Sequence, residues 1–173
     1  VPINNKVGLS FELVLKNILR QDPDIIFIGE IRDKFSLDIA LQASLTGHLV
    51  LASIHSSSSV ETITRLIDLK ADPFLISTTL KAVMAQRLVL AHCKSCENGC
   101  KECNFTKFYD RTSIAEILKI DEQISSLIFN KASFNELKEY LKNINFKTIL
   151  DDGKQKVKNS LTTLEEVYKV VNY

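Results

Sequence analysis

The sequence predicts an α/β fold built on a parallel sheet, and three observations lead there. Residues 25–28 (IIFI) and 48–54 (HLVLASI) are largely apolar runs rich in β-branched residues, the pattern of strands buried on both faces. Between them, residues 34–45 place Leu37, Ala40, Leu41 and Ser44 on one face of a helix. Strand, helix, strand, helix is the order of a parallel sheet covered by helices. Two strands, with residues 88–90 as a third, leave that sheet incomplete, so the first part of a larger α/β domain is expected upstream.

In chain order, residues 1–8 (VPINNKVG) read as extended and turn-like. Ser10 is a candidate N-cap for a helix that carries Phe11, Val14, Leu15, Ile18 and Leu19 on one face. Gln21-Asp22-Pro23 stops it, because the residue before proline avoids helical geometry. Thr46-Gly47 closes the 34–45 helix, with Gly47 as a left-handed cap. The serines at 56–59 offer N-caps to a helix ending near Lys70, with Val60, Ile63, Leu66 and Ile67 as its core face. Asp72-Pro73 opens a further helix, running to about Ala85. Residues 111–120 (RTSIAEILKI) fit a strand or a short helix equally. Beyond them the chain reads as helices over about 121–130, 133–143, 147–158 and 163–171. Ser133 and Thr163 are N-caps there, and Thr163 with Glu166 fits a capping box. Three regions result: 1–91 as the α/β part, 92–104 as a cysteine loop, and 105–173 as a mainly helical subdomain.

Composition narrows the function. The 173 residues carry 22 Lys+Arg against 21 Asp+Glu, a net charge of +1, so no charge field exists to bind nucleic acid. A hydrophobic content of 45% excludes general disorder. No apolar run reaches the roughly 20 residues of a membrane-spanning helix. The closest of the five glycines, Gly29 and Gly47, are 18 residues apart. That excludes the phosphate-cradling P-loop and the dinucleotide loop, both of which need closely spaced glycines. The chain begins with Val1 and without a secretory leader, and it reads as a piece of a longer protein.

Three segments could carry chemistry. In IIFIGEIRD (25–33), Glu30 follows a buried strand, at the edge where open α/β sheets bind ligands. Gly29 leaves room for close approach, and Glu30 could orient an attacking water or support magnesium through water. The alternative is a surface glutamate paired with Arg32. In TGHLVLASIH (46–55), His48 and His55 stand seven residues apart, at opposite ends of a strand. They cannot share a metal directly across roughly 20–24 Å of extended chain. His55 falls at the carboxyl end, beside Glu30 if the strands are parallel neighbours, where an imidazole could meet a terminal phosphate. The alternative is that each histidine caps a strand or helix end. The third segment holds Cys93, Cys96, Cys100 and Cys103, two C-x-x-C pairs around Glu97-Asn98-Gly99. Such clustering points to a metal in a reducing compartment, zinc first. An iron–sulfur cluster, a disulfide pair and no stable metal remain open.

These segments together resemble the C-terminal half of type II secretion and type IV pilus assembly ATPases, of the additional-strand P-loop class. The matching text is LRQDPDIIFIGEIRD (19–33), ALQASLTGHLVLASIH (40–55), ITRLIDL (63–69), AQRLVL (85–90), GCKEC (99–103), RTSIAEIL (111–118) and TLEEV (163–167). The resemblance implies part of a RecA-like ATPase core without its Walker A half. It makes Glu30 the Walker B glutamate within a motif that includes Gly29, Arg32 and Asp33. It makes Thr46, Gly47, His48 and His55 a histidine box, and Gln86 and Arg87 part of a coupling motif. The four cysteines match a zinc-binding element that related retraction motors lack. ATP and Mg2+ are implied for the parent protein and Zn2+ for the cysteine loop. So are a homo-hexamer, an inner-membrane platform protein and a cytoplasmic adaptor, in a cytoplasmic machine peripheral to the inner membrane. This chain alone is expected to be inactive. It departs from the family pattern at Ser56-Ser57-Ser58 after His55, at Asp110 in place of a glycine, at Asn159-Ser160 in place of a glycine-containing turn, and in its short cysteine spacer. The competing reading is a non-enzymatic, zinc-stabilised interaction module. A third is a split motor that completes a partner's site.

Overall fold

Capping chemistry sets most element ends in the computed structural model, which describes residues 11–18 and 20–171. In order these are α1 (Phe11–Ile18), β1 (Ile25–Ile28), α2 (Lys34–Leu45), β2 (Leu49–Ala52), α3 (Ser59–Asp68), α4 (Pro73–Thr79), β3 (Ala82–His92), β4 (Phe108–Lys119), α5 (Glu122–Phe129), α6 (Phe134–Asn143), α7 (Ile149–Lys158) and α8 (Leu164–Val171). The extended reading of residues 1–8 and the Ser10 cap lie outside the described residues. Contacts divide the chain into two units. The first takes residues up to His55, Thr62–Lys81 and Ile120–Leu137; the second takes Ser56–Glu61, Ala82–Lys119 and Lys138 onward. Among the described residues no helix is long and apolar enough to cross a membrane.

In the first unit β1 pairs parallel with β2, from Ile25↔Leu49 to Ile28↔Ala52. The pairing continues past both strands, since Ser53 N–H donates to Ile28 at 3.3 Å and Ile31 N–H donates to Ser53 at 2.8 Å. A parallel pair needs a crossover, and α2 provides it. Asp33 starts α2 by accepting the Ser36 amide at 2.8 Å. Gly47, at φ +101°, turns the chain out of its far end. Asp72 caps α4 and Asp121 caps α5, accepting from Phe74 and Ile124 at 2.9 and 2.8 Å. The α3 face expected to be buried is so at Val60, Ile63 and Leu66, and Ile67 is half-buried.

β1 is buried on one face, not two, and β2 has no fully buried residue. Ile26 and Ile28 are inside, while Ile25 is 59% and Phe27 74% exposed, and Leu49 and Leu51 are exposed beside them. Nothing among the described residues packs on that face, so β1 alternates in burial despite its uniform chemistry, while in β2 only Val50 is even half-buried.

The second unit is a long hairpin backed by helices. β3 pairs antiparallel with β4 from Ala82↔Lys119 to His92↔Phe108, with an irregularity between Leu90 and His92. This corrects two expectations. The helix from Pro73 ends at Thr79 rather than about Ala85, and the third strand spans Ala82–His92 in a separate antiparallel sheet. Val83 and Ala85 face in and Met84 faces out, a period of two that pairing with β4 enforces over local helix preference. The same pairing settles residues 111–119 as strand, with Ile120 just beyond its end.

The tail seals this hairpin. Val89 of β3, Ile114 of β4, Ile149 of α7 and Val167 of α8 form its buried centre. Along β4, Asp152 accepts the Ala115 amide at 2.8 Å, and Lys156 donates to the Ser113 carbonyl. Along β3, the His92 amide donates to Leu161 at 2.9 Å and the Thr162 hydroxyl to Leu90 at 2.7 Å. Backbone groups at both hairpin edges thus have partners in the tail. The expected cap at Thr163 forms, at 3.3 Å to the Glu166 amide. Glu166 does not reach back to complete a box, because its carboxylate binds Lys169 at 2.7 Å. Full capping boxes stand instead at Thr148 with Asp151 and at Ser133, the other expected cap, with Glu136.

Two predictions follow from the tail. A Cβ on Gly153 would lie 2.5 Å from a Val167 methyl group. Gly153→Ala gains about 1 kcal/mol of helix propensity but meets an overpacking cost of about 1–3 kcal/mol. A lower urea midpoint is expected, and a smaller drop when Gly153→Ala is introduced into a Val167→Ala background, where the clashing methyl groups are gone. Hydrogen bonds from the Thr148 backbone and hydroxyl hold the Asp151 pKa below its ordinary 3.8. A carboxyl depressed on folding stabilises the protein above its unfolded pKa, and that contribution disappears as pH falls through the folded value. Melting temperature is therefore expected to fall more steeply below about pH 4 in the wild type than in Asp151→Asn.

Candidate functional site

The parallel register brings Glu30 and His55 to one sheet edge. Each lies just past the carboxyl end of its strand, with the Ser53 hydroxyl donating to the Gly29 carbonyl between them. His55 Nε2 lies 2.9 Å from Glu30 Oε1, and Arg32 Nε donates to Glu30 Oε2 at 2.6 Å. The Glu30 side chain is 22% exposed and that of His55 86%. Arg32 above all, through its hydrogen bond and charge, and His55 to a lesser degree hold the Glu30 pKa below the ordinary carboxylate value. Glu30 is therefore an ionised, acceptor-only group at neutral pH, able to orient or deprotonate a water that reaches it. Gly29 opens onto free space, since a Cβ there would meet nothing within 4 Å.

The other residues singled out from the sequence fall elsewhere. Asp33 is committed to capping α2, and the Ser36 amide draws its pKa down. His48 is at the opposite end of β2. Its Nδ1 lies 2.9 Å from the Ala43 carbonyl and must carry the proton to donate to it. Thr46 Oγ1 sits 3.0 Å from that same carbonyl, and Gly47 makes the turn between the two. Thr46, Gly47 and His48 thus close the C-terminus of α2, which is the capping alternative for His48. In the second unit, Gln86 is exposed on β3, and Arg87 reaches the Ser56 and Ser57 carbonyls at 3.4 and 3.3 Å. Ser53 escaped the sequence reading because one hydroxyl among many gives no periodic signal. Glu116 also escaped it, although a charged residue at an inward position between Ile114 and Leu118 was a visible anomaly.

The cysteine loop joins β3 to β4. All four sulfurs lie within 4.8 Å of one another. Cys93–Cys100 and Cys100–Cys103 are 3.9 Å apart and Cys96–Cys103 3.6 Å. A tetrahedral ion with metal–sulfur bonds of about 2.3 Å separates its sulfurs by about 3.8 Å. A disulfide needs about 2.05 Å, and a cluster of several irons spreads its thiolates over different metal atoms. The four thiols are free and suit one tetrahedral ion. The Cys100 amide donates to Cys103 Sγ at 3.2 Å and is the main cause that lowers this thiol to about 6. Burial among the other sulfurs pushes Cys96 up to about 12. Gly99 makes the turn at φ +104°, and a Cβ there would lie 2.9 Å from the Phe105 carbonyl oxygen. Gly99→Ala is accordingly expected to lower metal affinity on the order of tenfold or more, read as metal content per chain after dialysis against a graded chelator.

A carboxylate–imidazole pair at a parallel sheet edge and a four-cysteine loop place the chain among mixed α/β folds whose ligands bind at the carboxyl ends of the strands, a class rather than one protein. Comparison narrows it: residues 1–169 match the family described as Type II/IV secretion system protein, and the chain belongs to that family. It is 40% identical to Type II secretion system protein HxcR of Pseudomonas aeruginosa, over 98% of this chain and 38% of that protein. It is 37% identical to Type II secretion system ATPase E of Vibrio cholerae, over 97% of this chain and 38% of that one. It is also 37% identical to Type IV pilus assembly ATPase PilB of Thermus thermophilus, over 95% and 22%. The fold is similar to that of the pilus retraction motor PilT solved with ADP, with a TM-score of 0.73 and 28% identity over 93% of this chain and 43% of that one. The chain spans about two fifths or less of the length of these relatives.

Proposed function

We propose that the chain is the C-terminal part of a cytoplasmic, hexameric motor ATPase that powers assembly of a type II secretion pseudopilus or a type IV pilus. The observation that carries this reading is the Glu30–His55 pair, 2.9 Å apart at the carboxyl edge of two parallel strands, in a chain whose relatives include named ATPases. Glu30 is assigned as the carboxylate that positions the attacking water, and His55 as the group nearest the terminal phosphate. Arg32 sets the charge and orientation of Glu30. Both Glu30 oxygens have protein partners, which suits support of a magnesium ion through water rather than direct ligation. That ion would neutralise charge on the phosphates.

In this reading residues 1–91 belong to a RecA-like core. Its phosphate-cradling loop is not among these 173 residues, so this stretch by itself hydrolyses nothing. Asp33, Thr46, Gly47 and His48 serve the nucleotide site as auxiliary residues that shape it through the ends of α2. Gln86 and Arg87 serve the coupling of nucleotide state to the C-terminal region. We assign zinc to the loop at 92–104, because four thiolates at tetrahedral spacing suit it. Together with the tail at 105–173, that loop is assigned to contacts with an inner-membrane platform protein and a cytoplasmic adaptor, which keep the motor peripheral to the inner membrane.

The test is ATP hydrolysis by the full-length protein. Glu30→Gln is expected to lower kcat on the order of 10²-fold or more while nucleotide binding persists. A wild-type protein that neither binds nor hydrolyses ATP would leave the zinc-stabilised interaction module as the better reading. An active wild type with an equally active Glu30→Gln variant would move the catalytic carboxylate elsewhere.

A further inference from the structure

We propose that Glu116 is a positioning residue that ties the first turn of α7 to the backbone directly following His55. This deepens the reading of Glu30 and His55 as a nucleotide site and rests on it. Glu116 is a carboxylate inside the second unit, only 6% exposed, on an otherwise apolar inward face of β4. Its Oε1 accepts the Ser59 amide at 2.7 Å and the Ser59 hydroxyl at 2.6 Å. Its Oε2 accepts the Ile149 amide at 3.0 Å. Ser59 opens α3 and Ile149 opens α7, so one carboxylate satisfies donors at two helix N-termini, where negative charge is favoured.

A buried carboxylate is costly unless it is fully hydrogen-bonded. A merely structural position between Ile114 and Leu118 would be filled more simply by an apolar side chain. What Glu116 adds is direction, because it can accept from both helices only while α3 and α7 begin at fixed points over β4. Arg87, on the partner strand, holds the Ser56 and Ser57 carbonyls of the same segment. Residues 56–59 are thus gripped through their carbonyls by β3 and through the Ser59 amide and hydroxyl by β4. His55 is bonded to Ser56, and its exposed ring meets Glu30 at 2.9 Å. A shift of α7 therefore reaches the 56–59 backbone through Glu116, and His55 through one peptide bond.

The experiment uses the full-length protein and two readouts. Peptide-level hydrogen exchange tests the linkage without any reaction. Asp151→Ala opens the first turn of α7 and is expected to raise exchange over residues 56–61 several-fold, with no further rise where Glu116→Gln is already present. Wild-type exchange over 56–61 in Asp151→Ala would overturn the proposal. Steady-state ATP hydrolysis tests the consequence. Glu116→Gln is expected to lower kcat on the order of 10- to 100-fold with nucleotide affinity within about threefold, whereas Asp152→Asn, which loosens α7 from β4 without touching the partners of Glu116, keeps kcat. Parallel losses in both variants that track their melting temperatures would overturn the positioning role. Ser59→Ala removes one of the three bonds and is expected to move both readouts in the same direction by less, which keeps the test decisive if Glu116→Gln folds poorly. If the wild type hydrolyses no ATP, the nucleotide reading fails, and the exchange result still decides whether Glu116 links the two helices.

Discussion

Parallel strands cannot be joined by a tight turn, and the pairing of Ile25–Ile28 with Leu49–Ala52 makes that constraint govern the first unit. The chain must return to the starting edge before the second strand begins. α2 makes the return, so both of its ends need stopping devices: Asp33 at one, and Thr46, Gly47 and His48 at the other. Because both strands run the same way, whatever follows them emerges at one edge. Glu30 follows β1 and His55 follows β2, and Ser53 extends the ladder between them. Their meeting is a consequence of direction and register. A slip of one residue would turn Ile26 and Ile28 out of the core and part the two side chains.

The second unit solves a different problem. A two-stranded hairpin alone is marginally stable, so it needs a packed face and protected edges. α7 and α8 give the face, and tail residues reach backbone groups on both edges. Rigid edges matter because the cysteine loop hangs from the end of the hairpin, where His92 stacks on Phe108 with ring centroids 5.5 Å apart. Non-glycine residues of this unit also hold left-handed backbone geometry of the kind glycine favours. Asp110 sits at φ +67° and Ser160 at φ +57°. Asp110 eases the strain by accepting the Arg111 amide at 2.7 Å, a local bond that glycine cannot make.

Features that depend on nearest neighbours were legible in the sequence. The caps at Asp72 and Gly47, the limits of α2, the four tail helices and the cysteine cluster all follow from local spacing. What was not legible depends on partners remote in sequence. Residues 82–85 look helical until Ile117, Leu118 and Lys119 pair with them. Ile25 and Phe27 look buried until one asks what covers them. Glu166 looks like the return arm of a capping box until Lys169 competes for its carboxylate. The meeting of Glu30 with His55 was conditional in the same way, on whether the strands were parallel neighbours.

The two unusual glutamates divide the work by environment. Glu116 is enclosed, with three donors from the chain spread over its two oxygens, so its carboxylate is committed to architecture. Glu30 stands at an open edge beside a histidine that is almost wholly exposed, and its partners are side chains rather than fixed amides. An ion pair so accessible is screened by water and salt and stabilises the fold little. Its value lies in keeping a charged acceptor oriented where solvent and ligand can reach it. That accessibility is what the proposed role of Glu30 draws on, since a carboxylate that is to orient a water molecule has to be charged, directed and open to solvent.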